Sequence, residues 1–409
     1  MGKENKTIVG IDVGSNSIRV LAASAGVGGD LEMLSMGQAL SLGVQRGIVS
    51  NIDEASFAIG AALEDAGLDD LGKNTQIYAS VGGKHLGSVN SAGEAEVSRS
   101  DGLVSAKDVA RAMDAAKSVD LPDDVRLLHQ VPRGFRIDGY RCRRSPVGMH
   151  GARAHADTHL VTASEAAVRN LEKAVEMTGN DVAWIVAGGV AAGKATLRRE
   201  EMEMGVILLD IGGGTTDIAA FSEGAIHHTS ALPLGGNQIV NDIAIALNTA
   251  LHVAEETLLD FGTATVDGID PQEELTVQCF GMSGYRRLRR RYLVDVIRLR
   301  LTEIIQLGVA RVRQAAPNAP ATAGIVITGG VASIPGIDAI AEQATNLPAR
   351  IGSVTRTYGG NEVLRGPGFA TLVGILQVAS DPFLAPVKEQ KNGHHRGFRL
   401  LPQLLGSKA

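Results

Sequence analysis

The 409-residue chain is poor in the features that mark secreted, membrane-spanning or nucleic-acid-coating proteins. It has two cysteines, Cys142 and Cys279, far apart and without metal-ligand spacing. A disulfide framework and a thiolate metal site are therefore disfavoured, and unpaired thiols in a reducing compartment are the simplest reading. No run approaches the roughly 18 apolar residues of a membrane span, and the opening MGKENKT lacks the apolar region of a signal peptide. The bulk of the chain is accordingly expected in the cytoplasm. An excess of basic charge is missing too: 39 Lys and Arg face 45 Asp and Glu, a net charge of −6, which argues against a general nucleic-acid binder. Basic residues nevertheless gather from Arg286 to Arg291 and in the C-terminal tail. With 44% hydrophobic and 21% charged residues, the composition suits a globular protein of two to four core-bearing modules.

What the chain does contain is one pattern written twice, IVGIDVGSNSIRVLAAS near the start and VILLDIGGGTTDIAAFS from Val206 to Ser222. Each copy reads as a hairpin in which an apolar strand delivers an aspartate, Asp12 or Asp210, to a glycine turn followed by a second apolar strand. Glycine lets backbone N–H groups approach an anion closely, and Ser15, Thr215 and Thr216 add hydroxyl donors. The two carboxylates can hold a hydrated Mg²⁺ between them. A pair of such turns predicts two related domains clasping one nucleotide. Asp217, at the end of the second turn, either caps backbone N–H groups or touches ligand.

Residues 7–81 alternate strand-like runs with a helix over Ile52 to Ala66. From Gly82 the texture changes to a small α+β unit that looks inserted: GGKHLGSVNSAGEAEV reads as a short strand pair, Lys107 to Ser118 as a helix, and LLHQVPRGFRIDG and ARAHADTHLVTA as strands. A helix then ends at Gly179, and a strand carries Trp184. After Asn237 a mostly helical stretch runs to Arg313, with one apolar face through Ile297, Leu301, Ile304, Ile305 and Val312. GIVITGGVASIPGI reads as a buried strand, a glycine turn and a helix start. The expected division is a first lobe core over 1–81 and 162–205 and an inserted subdomain over 82–161. The second lobe core takes 206–240 and 320–380, a helical subdomain 241–319, and a linker and tail 381–409.

Three glycine turns in the order Asp-x-Gly-Ser, Asp-x-Gly-Gly-Gly-Thr-Thr-Asp and Thr-Gly-Gly, each after an apolar strand, resemble the actin, Hsp70 and sugar-kinase superfamily. The implied fold is α/β, an actin-like two-lobed ATPase fold with a small α+β subdomain inserted in the first lobe. Within it, QRGIVSNID, SVGGKHLGSVNSAG, LLHQVPRGFRIDG, SPVGMHGARAHADTHLVT, LPLGGNQIVNDIA and GFATLVGILQVA are similar to blocks of the bacterial cell-division FtsA family. The place of the insertion agrees with that family. A type IV pilus assembly protein of the same fold matches HQVPRGFRIDG and PVGMHG less well. Exopolyphosphatases share the first hairpin, but their Gly-x-Glu-Glu element is absent between Asp12 and Asp210.

The resemblance implies ATP and Mg²⁺ as ligands. Asp12, Gly14, Ser15 and Asn16 would form the first phosphate loop, and Gly212, Gly213, Gly214, Thr215 and Thr216 the second, with Asp12 and Asp210 on the metal side. Gly235, Gly236 and Asn237 match a turn near the nucleotide, Glu255 a nucleoside contact, and Gly329 and Gly330 the adenosine turn. Two departures stand out. Where many relatives place a water-orienting glutamate or glutamine, this chain has AGGVAAG, Ala187 to Gly193, and the position of a family lysine is Leu258. General-base help is worth about 10² to 10⁴ in rate, so hydrolysis is expected to be slow or absent.

The implied partners are the tubulin-like protein FtsZ, further copies of the chain, other division proteins and the cytoplasmic face of the inner membrane at the division site. Arg286, Arg287, Arg290 and Arg291, in a run read as opening the long helical stretch, are the candidates for FtsZ binding. Phe398, Leu401, Leu404 and Leu405 have the spacing of a short interfacial helix. Pro402 interrupts it, leaving two half-turns around a kink or an unstructured tail.

Overall fold

The computed structural model describes residues 6–25, 31–69, 71, 74–142, 145–281, 285–355, 362–381 and 384. The first hairpin pairs β1 (Lys6–Val13) with β2 (Ser17–Ala25), and β3 (Leu31–Leu40) extends it antiparallel. The two-residue strands β4 (Val44–Gln45) and β5 (Ile48–Val49) make a tight turn before α1 (Ile52–Asp65). That helix starts where it does because the Asn51 side chain accepts the Glu54 N–H, and Asp53 and Glu54 sit in its first turn. Its buried residues Ala55, Ala58, Ile59, Ala62 and Leu63 form one helical stripe. β6 (Thr75–Val81) then returns parallel to β1.

The inserted unit contains β7 (Gly87–Glu96), α2 (Ala106–Ala115), β8 (Val125–Ile137), β9 (Tyr140–Cys142) and β10 (Arg153–Ser164). It builds its own antiparallel sheet in the order β7-β10-β8-β9. The strand pair expected after Gly82 is instead one long strand, because β7 pairs with the distant β10 over ten residues rather than with itself. Two buried histidines fasten the unit to its surroundings. His159 lies between Asn90 Oδ1 at 2.7 Å and Thr229 Oγ1 at 3.0 Å, joining the insertion to the second lobe. His129 accepts the Ala187 N–H at 3.0 Å.

The chain re-enters the first lobe through α3 (Glu165–Glu176) and β11 (Val182–Ala187), which completes a sheet of order β11-β6-β1-β2-β3. Helices α4 (Gly188–Thr196) and α5 (Arg199–Met204) lead to the second hairpin, β12 (Val206–Ile211) with β13 (Thr216–Ser222), followed by β14 (Ala225–Leu232). Next come α6 (Gly236–Leu247), α7 (Leu251–Phe261), β15 (Glu274–Gln278), β16 (Tyr285–Arg289) and α8 (Arg290–Ala315). β17 (Ile325–Thr328), α9 (Ile337–Thr345), β18 (Ala349–Ile351) and α10 (Ala370–Ala379) end the described fold. The second lobe sheet runs β14-β13-β12-β17-β18.

Two further features differ from the sequence reading. The stretch after Asn237 is not helical throughout: Leu275 pairs with Leu288, both buried, so Tyr285 to Arg289 is a strand and the helix begins only at Arg290. With Leu288 the one buried residue among exposed arginines, the strand shows no period-2 pattern and a run of charges conceals it. The last helix, assigned by sequence to the second lobe core, packs on α4 and β1, and Leu372, Val373, Ile375 and Leu376 join the first lobe's apolar cluster.

Contact between α10 and α4 is close enough to exclude a side chain. A Cβ on Gly374 would stand 1.9 Å from the Ala191 carbonyl oxygen, whereas one on Gly60 in α1 would meet nothing nearer than 3.9 Å. Gly374→Ala is expected to destabilise by at least the 1–3 kcal/mol typical of overpacking, roughly. Gly60→Ala is expected to stabilise by about 0.5–1 kcal/mol through helix propensity. Denaturant titration of the two variants against the wild type checks both signs.

Candidate functional site

The two hairpins end at opposite walls of one cleft between the lobes, with a volume of about 960 Å³. From the first lobe, Asp12, Gly14, Ser15 and Asn16 line it. From the second, Asp210, Gly212, Gly213 and Thr215 face them. Gly236 and Asn237 at the start of α6 complete the phosphate-sized end, and Asn237 Nδ2 donates to Asn16 Oδ1 at 2.9 Å across the lobes. Glu255 and Leu258 on α7, with Gly329 and Gly330 after β17, line the cleft further along. The sequence-predicted residues are thus gathered, with three qualifications. Thr216 is fully buried and spends its hydroxyl on the Leu234 carbonyl at 2.8 Å, so it belongs to the strand rather than the cleft. Gly214 and Gly235 support the turns from behind, packed against Ser15 and Gly212 respectively.

Three carboxylates point into this space. Asp12 accepts from Ser80 Oγ at 2.8 Å, and Ser80 in turn accepts the Val13 N–H at 3.0 Å. Burial nevertheless holds the Asp12 pKa above its usual range, outweighing the Ser80 hydroxyl and the Arg19 charge that pull it down. Asp210 accepts from Thr371 Oγ1 at 2.5 Å. Burial, with a smaller contribution from Asp12, pushes its pKa up to about 7. Asp217 is raised well above the carboxylate range by burial, Asp210 and Asp12, and its Oδ1 has no hydrogen-bond partner. Asp217 lines the cleft, and its carboxylate accepts the Gly83 backbone N–H rather than one from its own turn. Room for it exists because Gly188 opens α4: a Cβ there would stand 2.6 Å from Asp217 Oδ2. Gly329 serves Asp210 likewise, at φ +87° with a Cβ position 2.4 Å from Asp210 Oδ1.

Arg19, which sequence reasoning passed over as a site residue, is the counter-charge. It also lines the cleft, donating from Nη1 to the Gly368 carbonyl at 2.5 Å, with its guanidinium carbon 4.9 Å from the Phe369 ring centre. Strand register explains the positions of Arg19, which was missed, and of Asp217, which the sequence left open between cap and ligand contact. Arg19 is the cross-strand partner of Asp12, and Asp217 the cross-strand partner of Asp210. Each stands seven residues after its hairpin's aspartate, a correspondence present in the repeat itself.

The FtsZ candidates separate. Arg286, Arg287 and Arg291 are exposed, the first two on β16. Arg290 is half-buried and lines the cleft, because it is the first residue of α8 and turns inward toward Glu273. Phe398, Leu401, Leu404 and Leu405 lie outside the described residues. No helix among the described residues is long and apolar enough to cross a membrane.

Comparison with known proteins agrees with this architecture. Solved structures with similar folds include the PilM-PilN type IV pilus biogenesis complex, at a TM-score of 0.63 and 15% identity, covering 92% of this chain and 99% of that one. MreB5 of Spiroplasma citri bound to ADP matches at a TM-score of 0.55 and 14% identity, covering 92% and 96%. These share the actin-like fold. Sequence comparison is more specific. A family model for the cell division protein FtsA matches residues 207–374, and one for the SHS2 domain inserted in FtsA matches residues 83–162. The cell division protein FtsA of Pseudomonas aeruginosa is 35% identical over 374 residues, covering 91% of this chain and 89% of that protein. That of Escherichia coli is 31% identical over 388 residues, covering 93% and 92%. With both lobes, the insertion and nine-tenths of the length accounted for, the chain belongs to the FtsA family of cell division proteins.

Proposed function

We propose that the cleft binds ATP with Mg²⁺, and that the loaded protein is a scaffold rather than an enzyme, helping assemble the Z ring and anchoring FtsZ filaments to the cytoplasmic face of the inner membrane. The observation that carries this reading is the meeting of two glycine-turn hairpins across one cleft that also holds Asp12, Asp210 and Asp217. Buried carboxylates without matching cations are costly. Where the two hairpins meet, Asp12, Asp210 and Asp217 outnumber the single guanidinium of Arg19, so a cation bound there would offset buried negative charge. No group of three metal-ligating side chains is close enough for direct coordination among the described residues. Mg²⁺ suits that situation, since it keeps several waters and takes its remaining ligands from phosphate oxygens and one or two carboxylates. Asp12 and Asp210 would hold it through water, and the backbone of both turns would take the phosphates.

Slow turnover follows from what surrounds the phosphate end. Ala187 to Gly193 offers no side chain able to accept a proton. For the anchoring role, Arg286, Arg287 and Arg291 are exposed basic groups suited to an acidic FtsZ peptide, and the C-terminal tail is the candidate for membrane attachment.

Three outcomes are expected. Calorimetric titration of the full chain with ATP·Mg²⁺ should give saturable heat, while phosphate release stays below about 1 s⁻¹, the low end for working enzymes. No heat overturns nucleotide binding; faster release overturns the scaffold reading. Charge reversal of Arg287 and Arg291 to Glu should weaken binding of an FtsZ C-terminal peptide without lowering the melting temperature, and unchanged affinity would remove those residues from the interface. The third concerns pH. A carboxyl whose folded pKa lies above its unfolded value contributes most when protonated, and that contribution is lost as pH rises from about 4 toward about 7. Asp210→Asn should therefore raise the melting temperature of the empty protein more at pH 8 than at pH 5. A difference independent of pH would mean that Asp210 is not held in this way.

A further inference from the structure

Of the described residues that line the cleft, the basic ones are Arg19 at the phosphate end and Arg290 beside the α7 wall, near Glu255 and Leu258. Arg290 is built into three elements at once. Its main chain follows directly from β16, and its N–H donates to the Glu273 carbonyl at 2.9 Å, continuing the β15–β16 ladder. Its Nη1 donates to the Glu273 carboxylate at 2.9 Å, and its Nε donates to the Phe261 carbonyl, at the end of α7, at 3.3 Å. Nη2 makes no bond to another described residue, and the side chain remains about one-quarter exposed, open to the cleft.

A planar guanidinium placed this way can lie flat on a base or, edge-on, donate to a ring nitrogen or ribose oxygen. Leu258 and Leu259 beside it supply an apolar wall but no donor side chain. The other ends of the same guanidinium hold the hairpin. A two-stranded hairpin is marginally stable alone. This one has three inward anchors in Leu275, Val277 and Leu288, with the Arg290–Glu273 pair closing its base, while Arg286, Arg287 and Arg289 stand exposed on it. Ordering Arg290 from the cleft side therefore orders the hairpin from behind.

We infer that Arg290 is a nucleoside-contacting residue and, through Glu273, the link by which nucleotide occupancy orders the basic β15–β16 hairpin for an acidic peptide. The inference rests on the reading of the cleft as a nucleotide site, and it moves Arg290 from the partner surface to the joint between that surface and the cleft.

The test is hydrogen exchange of the full chain, read over residues 274–289 with and without ATP·Mg²⁺, alongside calorimetry. In the wild type, nucleotide should slow exchange there about fivefold, an ordinary size for coupling between sites. Arg290→Ala should weaken ATP·Mg²⁺ about tenfold, as for loss of a charged hydrogen bond, and abolish the slowing even at saturating nucleotide. Glu273→Gln should keep nucleotide affinity within about twofold, because it leaves the cleft face of Arg290 in place, yet lose most of the slowing. Thermal melts confirm folding; if Arg290→Ala does not fold, Arg290→Lys, which keeps the charge but lacks the fork, should show the same losses. Wild-type heat with an unweakened Arg290 variant, or slowing that persists in the Glu273 variant, overturns the inference and leaves the nucleotide reading standing. Absence of wild-type heat overturns both.

Discussion

The constraint on which this molecule turns is the burial of three carboxylates at the seam of its two lobes. An acid removed from water with no compensating charge is driven toward its neutral form, and Asp12, Asp210 and Asp217 are all displaced in that direction. The surrounding elements answer that cost without cancelling it. Ser80 comes from β6 and Thr371 from α10, so the sheet of one lobe and the helix that closes on it each hand one hydroxyl to one carboxylate. Arg19 supplies a single positive charge, shared between Asp12 and Asp210. What remains is a site whose own strands leave its buried negative charge only partly offset. Ionisation of these acids therefore disfavours the empty cleft.

Register makes the site asymmetric in a useful way. Both hairpins place a partner directly across from their aspartate, on the same face of the sheet. In the first hairpin that partner is Arg19, and in the second it is Asp217. A duplicated frame thus carries opposite charges at equivalent positions, with the cation on one wall and the additional acid on the other. Had both partners been arginines, the cleft would attract phosphate alone. Two additional acids would repel it. One of each suits the ATP·Mg²⁺ proposed for the cleft.

Much of this was legible in the sequence, for reasons tied to particular residues. The hairpins were readable because in each an aspartate, one apolar residue and a glycine turn interrupt two apolar strands. The inserted unit was readable from the change of texture at Gly82, although β7 was mistaken for a strand pair because its partner β10 begins at Arg153, far along the chain. Asp217 and Arg19 were undervalued because each was judged alone; aligning the two copies of the repeat would have shown them in one place. The strand Tyr285–Arg289 was hidden by its own charge, as its exposed arginines show no apolar alternation and Leu288 alone points inward. The return of α10 to the first lobe could not be read from a helix apolar on nearly every side, since such a helix fits any core.

The insertion is attached to the cleft more directly than its position in the chain suggests. His129, on β8, accepts the N–H of Ala187, the residue from which α4 springs, and Gly188 immediately after it makes the room that Asp217 occupies. The other ring nitrogen donates to the Leu384 carbonyl at 3.0 Å, beside the point where the chain leaves toward its C-terminal tail. One imidazole therefore touches the insertion, the floor of the cleft and the root of the tail. Burial pushes its pKa down to about 4, so it stays neutral at physiological pH, with one nitrogen accepting and the other donating. Protonation would convert the acceptor into a donor and set it against the Ala187 N–H, so the contact is firm because the ring does not titrate in that range. A displacement of α4 on filling the cleft must consequently move the insertion with it or break this buried pair of hydrogen bonds, which is the more expensive course.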